Sequence, residues 1–313
     1  MSIEPTAKSR YDAGEKFKKY LQQRNYKENT VHGHVQNIGY FLKWIADGGL
    51  PEVENISYHD LLNYVRYEQQ RNKDVATINL RIGSISKYFL FLKEEGTITI
   101  NPASTLRIKG KAKTVIQNPL TQEELLHLYH TYKAMKKEGS CHKEKSSLAH
   151  TRKTIIVGLL IWQGLHSGEL AKLEVSHVNL PEGIIYIPST ARGNSRELKL
   201  ATPQVLTLYQ YLHDGTREKL FAGDRTGSKA EALFPGNLYN TINAISKELK
   251  GIYPQIKNAL HIRASVILYW LRQYNKRQVQ YLCGHKHIDS TQRYEAQELE
   301  TLTDQLAKHH PFG

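Results

Sequence analysis

The last part of the chain contains three residues whose types and spacing suit the cleavage of a phosphodiester bond. Arg263 is followed by the pair Gly284-His285, and Tyr294 lies nine residues beyond His285. A tyrosine hydroxyl can attack phosphorus and hold the phosphate as a covalent ester, which conserves the energy of the broken bond. Guanidinium groups pair with the non-bridging oxygens, on which the transition state accumulates negative charge. Nucleophilic chemistry at a phosphodiester would need residues of these types.

Two earlier segments offer side chains that could complete such a site. The segment GLHSGEL, residues 164–170, contains His166 and Glu169, and a later alternating segment contains Arg192. Any one of these residues has an ordinary structural explanation, such as a histidine that caps a helix or a tyrosine packed in an interface. Their combination favours the functional interpretation.

The composition indicates a polyanionic partner. The 313 residues carry a formal net charge of +13, and both halves of the chain are basic. Two basic halves favour a polyanion gripped from both sides, and double-stranded DNA is the leading class. The alternative is that the charge serves solubility alone. The chemistry above requires no metal or other cofactor, and we predict none.

The sequence predicts a cytoplasmic protein with a sizeable core. Hydrophobic residues make up 40% of the chain, yet no apolar run approaches the roughly 18 residues that a membrane span needs. The N-terminal segment lacks the apolar region of a signal peptide. Two cysteines, Cys141 and Cys283, form no disulfide framework and suit a reducing compartment.

The first 100 residues predict a bundle of four or five helices, because apolar residues recur at helical spacing. We expect Asn29 or Thr30 to cap one helix and Ser57 with Asp60 to form a capping box on the next. Residues 101–121 then have the proline and charge content of a linker. A basic linker can lie along phosphates or serve as a plain tether, and we predict DNA contacts for its basic residues. These are Arg107, Lys109, Lys111 and Lys113.

The second part of the chain predicts a helical domain with one small antiparallel sheet. We expect a buried helix, a β-hairpin and five further helices. Their predicted ranges are 152–165, about 184–200, 203–213, 237–248, 261–274, 276–283 and 298–309. Residues 136–150 are polar and predict a loop. Four residues in and near it could in principle hold zinc, but solvated side chains are the preferred interpretation because no paired ligand motif is present. They are His127, His130, Cys141 and His142.

Together these motifs resemble those of the tyrosine recombinase family, which includes the phage integrases. The resemblance spans essentially the whole chain, and the spacing of Arg263, His285 and Tyr294 is its specific part. It implies a mainly α fold with a SAM-like core-binding helical domain at 1–113 and an α-rich α+β catalytic domain at 114–313. The two would close as a C-shaped clamp around duplex DNA.

The resemblance also implies a reaction, which is site-specific recombination through a 3′-phosphotyrosyl intermediate. Tyr294 would be the nucleophile, Arg263 would clamp the scissile phosphate, and His285 would donate a hydrogen bond to it. Strand exchange would proceed through a Holliday junction in a tetramer on two DNA sites. By the same resemblance, the protein would be bacterial and nucleoid-associated, and it would serve a chromosome or a mobile element.

Three supporting positions depart from the family's pattern. His166 stands where the pattern has an arginine, His261 lies one place after the expected histidine position, which Leu260 occupies, and Arg192 aligns best with a lysine of the hairpin. Histidine is only partly charged near neutral pH, and arginine is a poor proton donor. We nevertheless expect His166, Arg192 and His261 to serve in the site. The hairpin residues that we expect to contact DNA are Arg196 and Lys199.

Two interpretations of these departures stay open. Either the site is active with a remodelled phosphate clamp, which we favour because Tyr294, Arg263 and His285 keep their register, or the chain is a catalytically impaired, recombinase-like DNA-binding protein. A relaxing activity like that of type IB topoisomerases, which use the same nucleophile, is a third possibility.

The leucine stripe of the C-terminal segment packs on its own domain or docks on a neighbouring protomer. The resemblance favours docking on the neighbour, by which protomers would exchange their C-terminal segments. The stripe consists of Leu299, Leu302 and Leu306.

Overall fold

The computed structural model describes residues 7–110, 118–135, 143–191 and 193–296, with the backbone alone at 7–13 and 143–145. The chain forms two compact units, Met1–Ala112 and Lys113–Gly313. Each unit has its own hydrophobic core. The domain boundary predicted between residues 113 and 114 lies outside the described residues and stays a prediction.

Helices build the described part of the N-terminal unit around a core rich in aromatic residues. They are α1 (Ala7–Gln23), α2 (Glu28–Asp47), α3 (Tyr58–Gln70) and α4 (Val75–Glu94). Phe17, Phe41 and Phe89 are fully buried, because the apolar residues of these helices recur on one face. The predicted helical bundle is confirmed.

Local capping explains where two of these helices begin. At the start of α3, the Ser57 side chain accepts a hydrogen bond from the Asp60 backbone N–H, and the Asp60 side chain accepts one from the Ser57 backbone N–H. The predicted capping box is confirmed. The cap predicted at Asn29 or Thr30 is wrong, because α2 already begins at Glu28. An acidic residue in the first turn is favoured there by the helix dipole.

The described part of the C-terminal unit is mainly helical, as predicted, with a small sheet. Its helices are α5 (Gln122–Ala134), α6 (Lys143–Trp162), α7 (Ser167–Leu170), α8 (Thr202–His213), α9 (Thr216–Ala222), α10 (Leu238–Ile252), α11 (Ala259–Leu271) and α12 (Lys276–Cys283). Its strands are β1 (Val178–Asn179), β2 (Ile184–Ile187) and β3 (Arg196–Lys199), which form an antiparallel sheet in the order β1-β2-β3. The predicted hairpin is confirmed as β2 and β3, and the two-residue strand β1 was not predicted. None of the described helices combines the length and apolar character that a membrane crossing requires.

The loop predicted at 136–150 is wrong for residues 143–150, which form the first turns of α6. The segment there contains two lysines and one each of glutamate, leucine and alanine, which favour helix even when no apolar stripe reveals it. Further along α6, residues 155–161 enter the core, and Ile156 and Leu160 are fully buried. The polar start and the buried end therefore belong to one helix.

Helices α11 and α12 carry the segment that the sequence analysis singled out. Asn258 caps α11 by accepting a hydrogen bond from the His261 backbone N–H at 3.1 Å, and nine of the thirteen residues of this helix are buried. Asn275 and Gln278 form a capping box at the start of α12. Helix α12 ends at Gly284, which adopts the left-handed conformation with φ +67°. The chain thereby turns sharply just before His285.

We expect the substitution Gly284→Ala to destabilise the C-terminal unit. A non-glycine residue in the left-handed conformation costs about 1–2 kcal/mol, and a Cβ atom here would overlap the guanidinium of Arg196. Urea denaturation measures the loss. The control is Gly251→Ala, because the Cβ position of this α10 residue is open and alanine should stabilise a helix by about 0.5–1 kcal/mol. Equal stabilities of the two variants would contradict the prediction.

Candidate active site

One pocket in the C-terminal unit collects most of the predicted reactive side chains. It has a volume of about 520 Å³, and α7, the hairpin turn, α11 and the residues after α12 surround it. The lining residues include His166, Glu169, Arg263, His285, Arg293 and Tyr294. A larger groove of about 780 Å³ lies elsewhere on the unit, but mostly apolar side chains such as Leu206 line it. The smaller pocket is therefore the candidate active site.

Arg263 is a buried cation at the base of this pocket, with a side chain that is 8% exposed. Its Nη1 donates to the Gly164 carbonyl oxygen, and its Nη2 donates to the Cys283 carbonyl oxygen at 2.8 Å. The same Nη1 lies 3.4 Å from Glu169 Oε2. These partners come from two segments of the chain, residues 164–170 and the end of α12, so the guanidinium is held in one orientation.

The anion that faces this cation is the buried carboxylate of Glu169. It accepts a hydrogen bond from Arg196 Nη1 at 2.7 Å and another from the His166 backbone N–H at 3.0 Å. Burial would raise the pKa of Glu169, but hydrogen bonding to Arg196 and the charges of Arg196 and Arg263 outweigh burial and hold its pKa below the ordinary value. Glu169 is therefore ionised at neutral pH.

His285 enters the pocket directly after the turn at Gly284. Its Nε2 lies 3.4 Å from Arg263 Nη2, and its Nδ1 lies 2.9 Å from the hydroxyl of Thr291. Arginine can only donate, so Nε2 accepts and Nδ1 carries the proton in this arrangement. Burial, followed by the positive charges of Arg263 and Arg196, lowers the pKa of His285 to about 4. The imidazole is therefore neutral at pH 7.

Tyr294 lies beside this histidine. The two rings are nearly parallel, with 15° between their planes and 6.2 Å between their centroids. Burial raises the pKa of Tyr294 above its ordinary value, although the charge of Arg263 opposes that effect. The phenol is therefore protonated at neutral pH and must lose its proton if it is to act as a nucleophile.

His166 caps the short helix α7 with its side chain. Its Nδ1 accepts hydrogen bonds from the backbone N–H groups of Gly168, at 3.0 Å, and Glu169, at 3.2 Å. An imidazolium has no acceptor nitrogen, so a histidine in this role is neutral and carries its proton on Nε2. That Nε2 lies 3.8 Å from Glu169 Oε1. His166 therefore contributes a neutral N–H group to the pocket.

Arg196 lies in the interior, although we predicted that it contacts DNA. Its side chain is 0% exposed, and its Nε donates to the Leu282 carbonyl oxygen at 2.7 Å. Residues alternate between the two faces of a strand, and in β3 this alternation turns Arg196 and Leu198 inward while Glu197 and Lys199 face out. The guanidinium of Arg196 thus binds Glu169 rather than a partner at the surface.

The structure does not bring His261 to the pocket. Its Nδ1 accepts from the Lys257 backbone N–H at 3.1 Å, and its Nε2 lies 3.1 Å from the Asn118 carbonyl oxygen. Leu260 lines the pocket instead, because residues three apart on a helix share a face and residues two apart do not. His261 therefore anchors the start of the C-terminal unit, and Leu260 lies on the face of Arg263.

The remaining predicted residues divide into exposed and undescribed ones. Three of these predicted residues have exposed side chains, namely Arg107, Lys109 and Lys199. The predicted residues that lie outside the described part of the chain are Arg192, Lys111, Lys113, Cys141, His142, Leu299, Leu302 and Leu306. Their predicted roles stay predictions.

Three residues of the site escaped the sequence analysis. Ser290 and Arg293 line the pocket, and Thr291 is fully buried against His285. Residues 289–296 are helical, so Ser290 and Tyr294 lie four apart on one face. Recognising that helical spacing would have pointed to Ser290, whereas the contact of Thr291 depends on the turn at Gly284.

Two family models match this chain. Residues 15–96 match the phage integrase N-terminal SAM-like domain, and residues 118–300 match the phage integrase family. Each match falls within one of the two compact units. The second match alone covers more than half of the chain and contains the whole candidate active site.

Individual proteins resemble the chain over nearly all of its length. Tyrosine recombinase XerC of Bacillus pumilus (strain SAFR-032) is 24% identical over 303 residues, which are 94% of this chain and 95% of that protein. The Tn1549 transposon integrase in complex with transposon right end DNA has a TM-score of 0.64 at 15% identity, over 94% of this chain and 99% of that chain. A lambda integrase tetramer bound to a Holliday junction has a TM-score of 0.63 at 17% identity, over 91% and 76% of the two chains. These structures share the fold described above.

We expect His285 to make the fold sensitive to acid. The pKa of His285 is about 4 in the folded chain, whereas an unfolded histidine has a pKa of about 6.5. The folded state binds this proton less readily, so the associated stability is complete above about pH 6.5 and is lost as the pH falls towards 4. Urea denaturation between pH 7 and 4.5 should show a steeper loss for wild type than for His285→Gln.

The control for this titration is His59→Gln, because His59 is exposed in the N-terminal unit. That variant should follow the wild-type curve. Parallel curves for wild type and His285→Gln would show that His285 is not the group responsible.

Proposed function

The chain belongs to the phage integrase family and is a tyrosine site-specific recombinase, and on this premise we propose that Tyr294 cleaves DNA as the nucleophile. Its hydroxyl oxygen attacks the scissile phosphorus, the bond to the 5′ oxygen breaks, and a 3′-phosphotyrosyl ester remains. Attack on that ester by another 5′-hydroxyl rejoins the strand and releases Tyr294. The observation that supports this proposal is the convergence of Tyr294, His285 and Arg263 in one pocket.

Arg263 is the proposed phosphate clamp. Its guanidinium is fixed by backbone carbonyl groups and by Glu169, and so it needs little reorganisation when charge develops on the phosphate. Preorganised donors of this kind typically contribute factors of about 100–1,000 to a rate. The leaving 5′ oxygen also needs a proton, for which Arg192 is poorly suited because the pKa of arginine exceeds about 12.

His285 can donate to the phosphate only if its proton moves from Nδ1 to Nε2. The hydroxyl of Thr291 permits this change, because it can either accept from Nδ1 or donate to it. The imidazole would stay neutral throughout. We therefore propose that His285 acts as a neutral donor, with its tautomer set by Thr291.

The proposed partner is double-stranded DNA, gripped through the excess positive charge of the chain. The exposed basic residues Arg107, Lys109 and Lys199 would contact the phosphates, as would the undescribed Lys111 and Lys113. We also propose a tetramer on two DNA sites in which C-terminal segments are exchanged, because the fold is that of an integrase found as a tetramer on a Holliday junction. A cytoplasmic, nucleoid-associated location and a mobile-element origin belong to the same proposal.

We expect Tyr294→Phe to abolish the covalent DNA adduct while DNA binding persists. The substrate is a pool of duplexes from sequence that flanks the gene, nicked next to each candidate phosphate so that the freed oligonucleotide diffuses away. A denaturing gel detects the adduct, and a native gel in increasing salt measures binding. Tyr281→Phe is the matched control, because Tyr281 is an exposed tyrosine of α12. An adduct in Tyr294→Phe would refute the assignment, and binding without any wild-type adduct would favour the impaired, DNA-binding alternative.

We expect two substitutions at position 166 to separate its capping role from its donor role. His166→Asn keeps a good helix cap but removes the Nε2–H group, so stability should persist while the adduct rate falls by about 10–100-fold. His166→Arg loses the cap, so the free energy of unfolding should fall by about 1 kcal/mol and the adduct rate should not rise. A tenfold faster adduct in His166→Arg would instead identify His166 as an impaired clamp.

A further inference from the structure

Arg196 occupies an unusual place for a permanently charged residue. Its side chain is 0% exposed, yet it does not line the pocket. It approaches Glu169 from β3, whereas Arg263 approaches the same carboxylate from α11, and the two guanidiniums contact different oxygens of Glu169. The Cα atom of Gly284 packs against Arg196, since a Cβ atom there would overlap the guanidinium.

Fold stability alone does not explain this arrangement. Within the described part of the chain, Arg196 Nη2 is buried and has no hydrogen-bond partner. Buried ion pairs cost desolvation energy, and well-packed apolar residues in their place are often as stable. A fully buried arginine with an unsatisfied N–H group therefore calls for an explanation in the chemistry of the neighbouring pocket.

The charges beneath the pocket supply that explanation. Glu169 is ionised and carries one negative charge, and Arg196 and Arg263 each carry one positive charge. His166 is neutral because it caps α7 through Nδ1, and His285 is neutral at pH 7 because its pKa is about 4. The buried cluster of Glu169, Arg196 and Arg263 therefore has a net charge of +1, and without Arg196 its net charge would be zero.

We propose that Arg196 is a positioning residue that gives the buried base of the active site its net positive charge. It neutralises Glu169 from the side away from the pocket, and so the charge of Arg263 remains available to an anionic phosphate. Glu169 in turn keeps Arg263 in place. This inference rests on the proposed function of the pocket in phosphodiester cleavage, and it assigns to Arg196 an indirect role instead of the DNA contact predicted from sequence.

The groups that face this cluster come from every surrounding element. Arg196 belongs to β3, Glu169 and its capping residue His166 to α7, and Arg263 to α11. At the end of α12, burial raises the pKa of the Cys283 thiol to about 12, and His285 follows. Arg293 lines the pocket but is exposed. The screened, exposed charge of Arg293 cannot replace a buried one.

The test compares full-length variants at saturating DNA in the nicked-duplex assay. Arg196→Gln should lower the adduct rate by at least about tenfold while the dissociation constant for DNA changes less than twofold, because the Arg196 side chain is 0% exposed. The double variant Arg196→Gln/Glu169→Gln restores a net charge of +1 and should react at least threefold faster than Arg196→Gln. Arg196→Lys, which keeps the charge, should lie between Arg196→Gln and wild type.

A purely structural role predicts the opposite order, because the double variant loses a second buried contact. A double variant slower than Arg196→Gln would therefore overturn the proposal, and so would weaker DNA binding by Arg196→Gln with an unchanged adduct rate. If Arg196→Gln does not fold, the double variant is compared with wild type. An adduct rate of the double variant more than 100-fold below that of wild type would then overturn the proposal. The matched control is Lys153→Gln, which breaks a part-buried ion pair with Glu248 in the same unit and should keep the wild-type rate per folded molecule.

A second measurement does not depend on cleavage. The charge of Arg196 is one cause of the low pKa of His285, so its removal should raise that pKa. Nuclear magnetic resonance of histidine-labelled protein follows the titration, and the His285→Gln spectrum identifies the signal among the 15 histidines. A higher His285 pKa in Arg196→Gln but not in Arg196→Lys supports the proposal, and an unchanged pKa overturns it. If wild type forms no adduct, the proposed function fails and this titration alone decides the role of Arg196.

Discussion

The structure of the site depends on one buried carboxylate. Glu169 lies between the guanidiniums of Arg196 and Arg263, and it also accepts the backbone N–H group of His166. Three elements, α7, β3 and α11, are therefore held together by two oxygens. Hydrogen bonding to Arg196 and the charges of both arginines hold the pKa of this carboxylate low despite its burial, and the carboxylate in turn offsets the charge of the two buried guanidiniums. Loss of Glu169 would leave two buried cations without an anion, whereas loss of either arginine would leave one buried ion pair with fewer hydrogen bonds.

The same electrostatic field determines how the reactive groups titrate. Burial and the two guanidiniums lower the pKa of His285, and burial raises the pKa of Tyr294. Both side chains are consequently neutral at pH 7, and the cations of the buried base are arginines, which do not titrate in the physiological range. In the proposed reaction, a phosphate that enters this pocket would meet the fixed positive charge of Arg263 and neutral side chains. Burial and geometry therefore set the protonation states of both side chains in the free protein.

The sequence predicted the parts of this design that depend on local spacing. Helical periodicity predicted the bundle and most helices of the second unit, and the capping box at Ser57 is present as expected. The spacing of Arg263, His285 and Tyr294 led to the pocket. The roles of Arg196 and His261 could not be predicted, because they depend on which face of β3 and α11 packs inward. The helical start of α6 was missed because its polar residues carry no periodic apolar signal.

In the proposed function, exposed charges would serve DNA binding, whereas buried charges would serve the cleavage of the phosphodiester bond. Exposed lysines and arginines attract DNA through interactions that salt screens strongly, because the Debye length is about 10 Å at 0.1 M ionic strength. The guanidiniums of Arg196 and Arg263 lie in the interior, where salt screens much less. A single buried net charge would contribute little to affinity over a long duplex, yet in the proposed reaction it would act where charge develops in the transition state. Affinity can therefore vary with salt and with the exposed surface while the reactive geometry, fixed by Glu169 and its two arginines, remains the same.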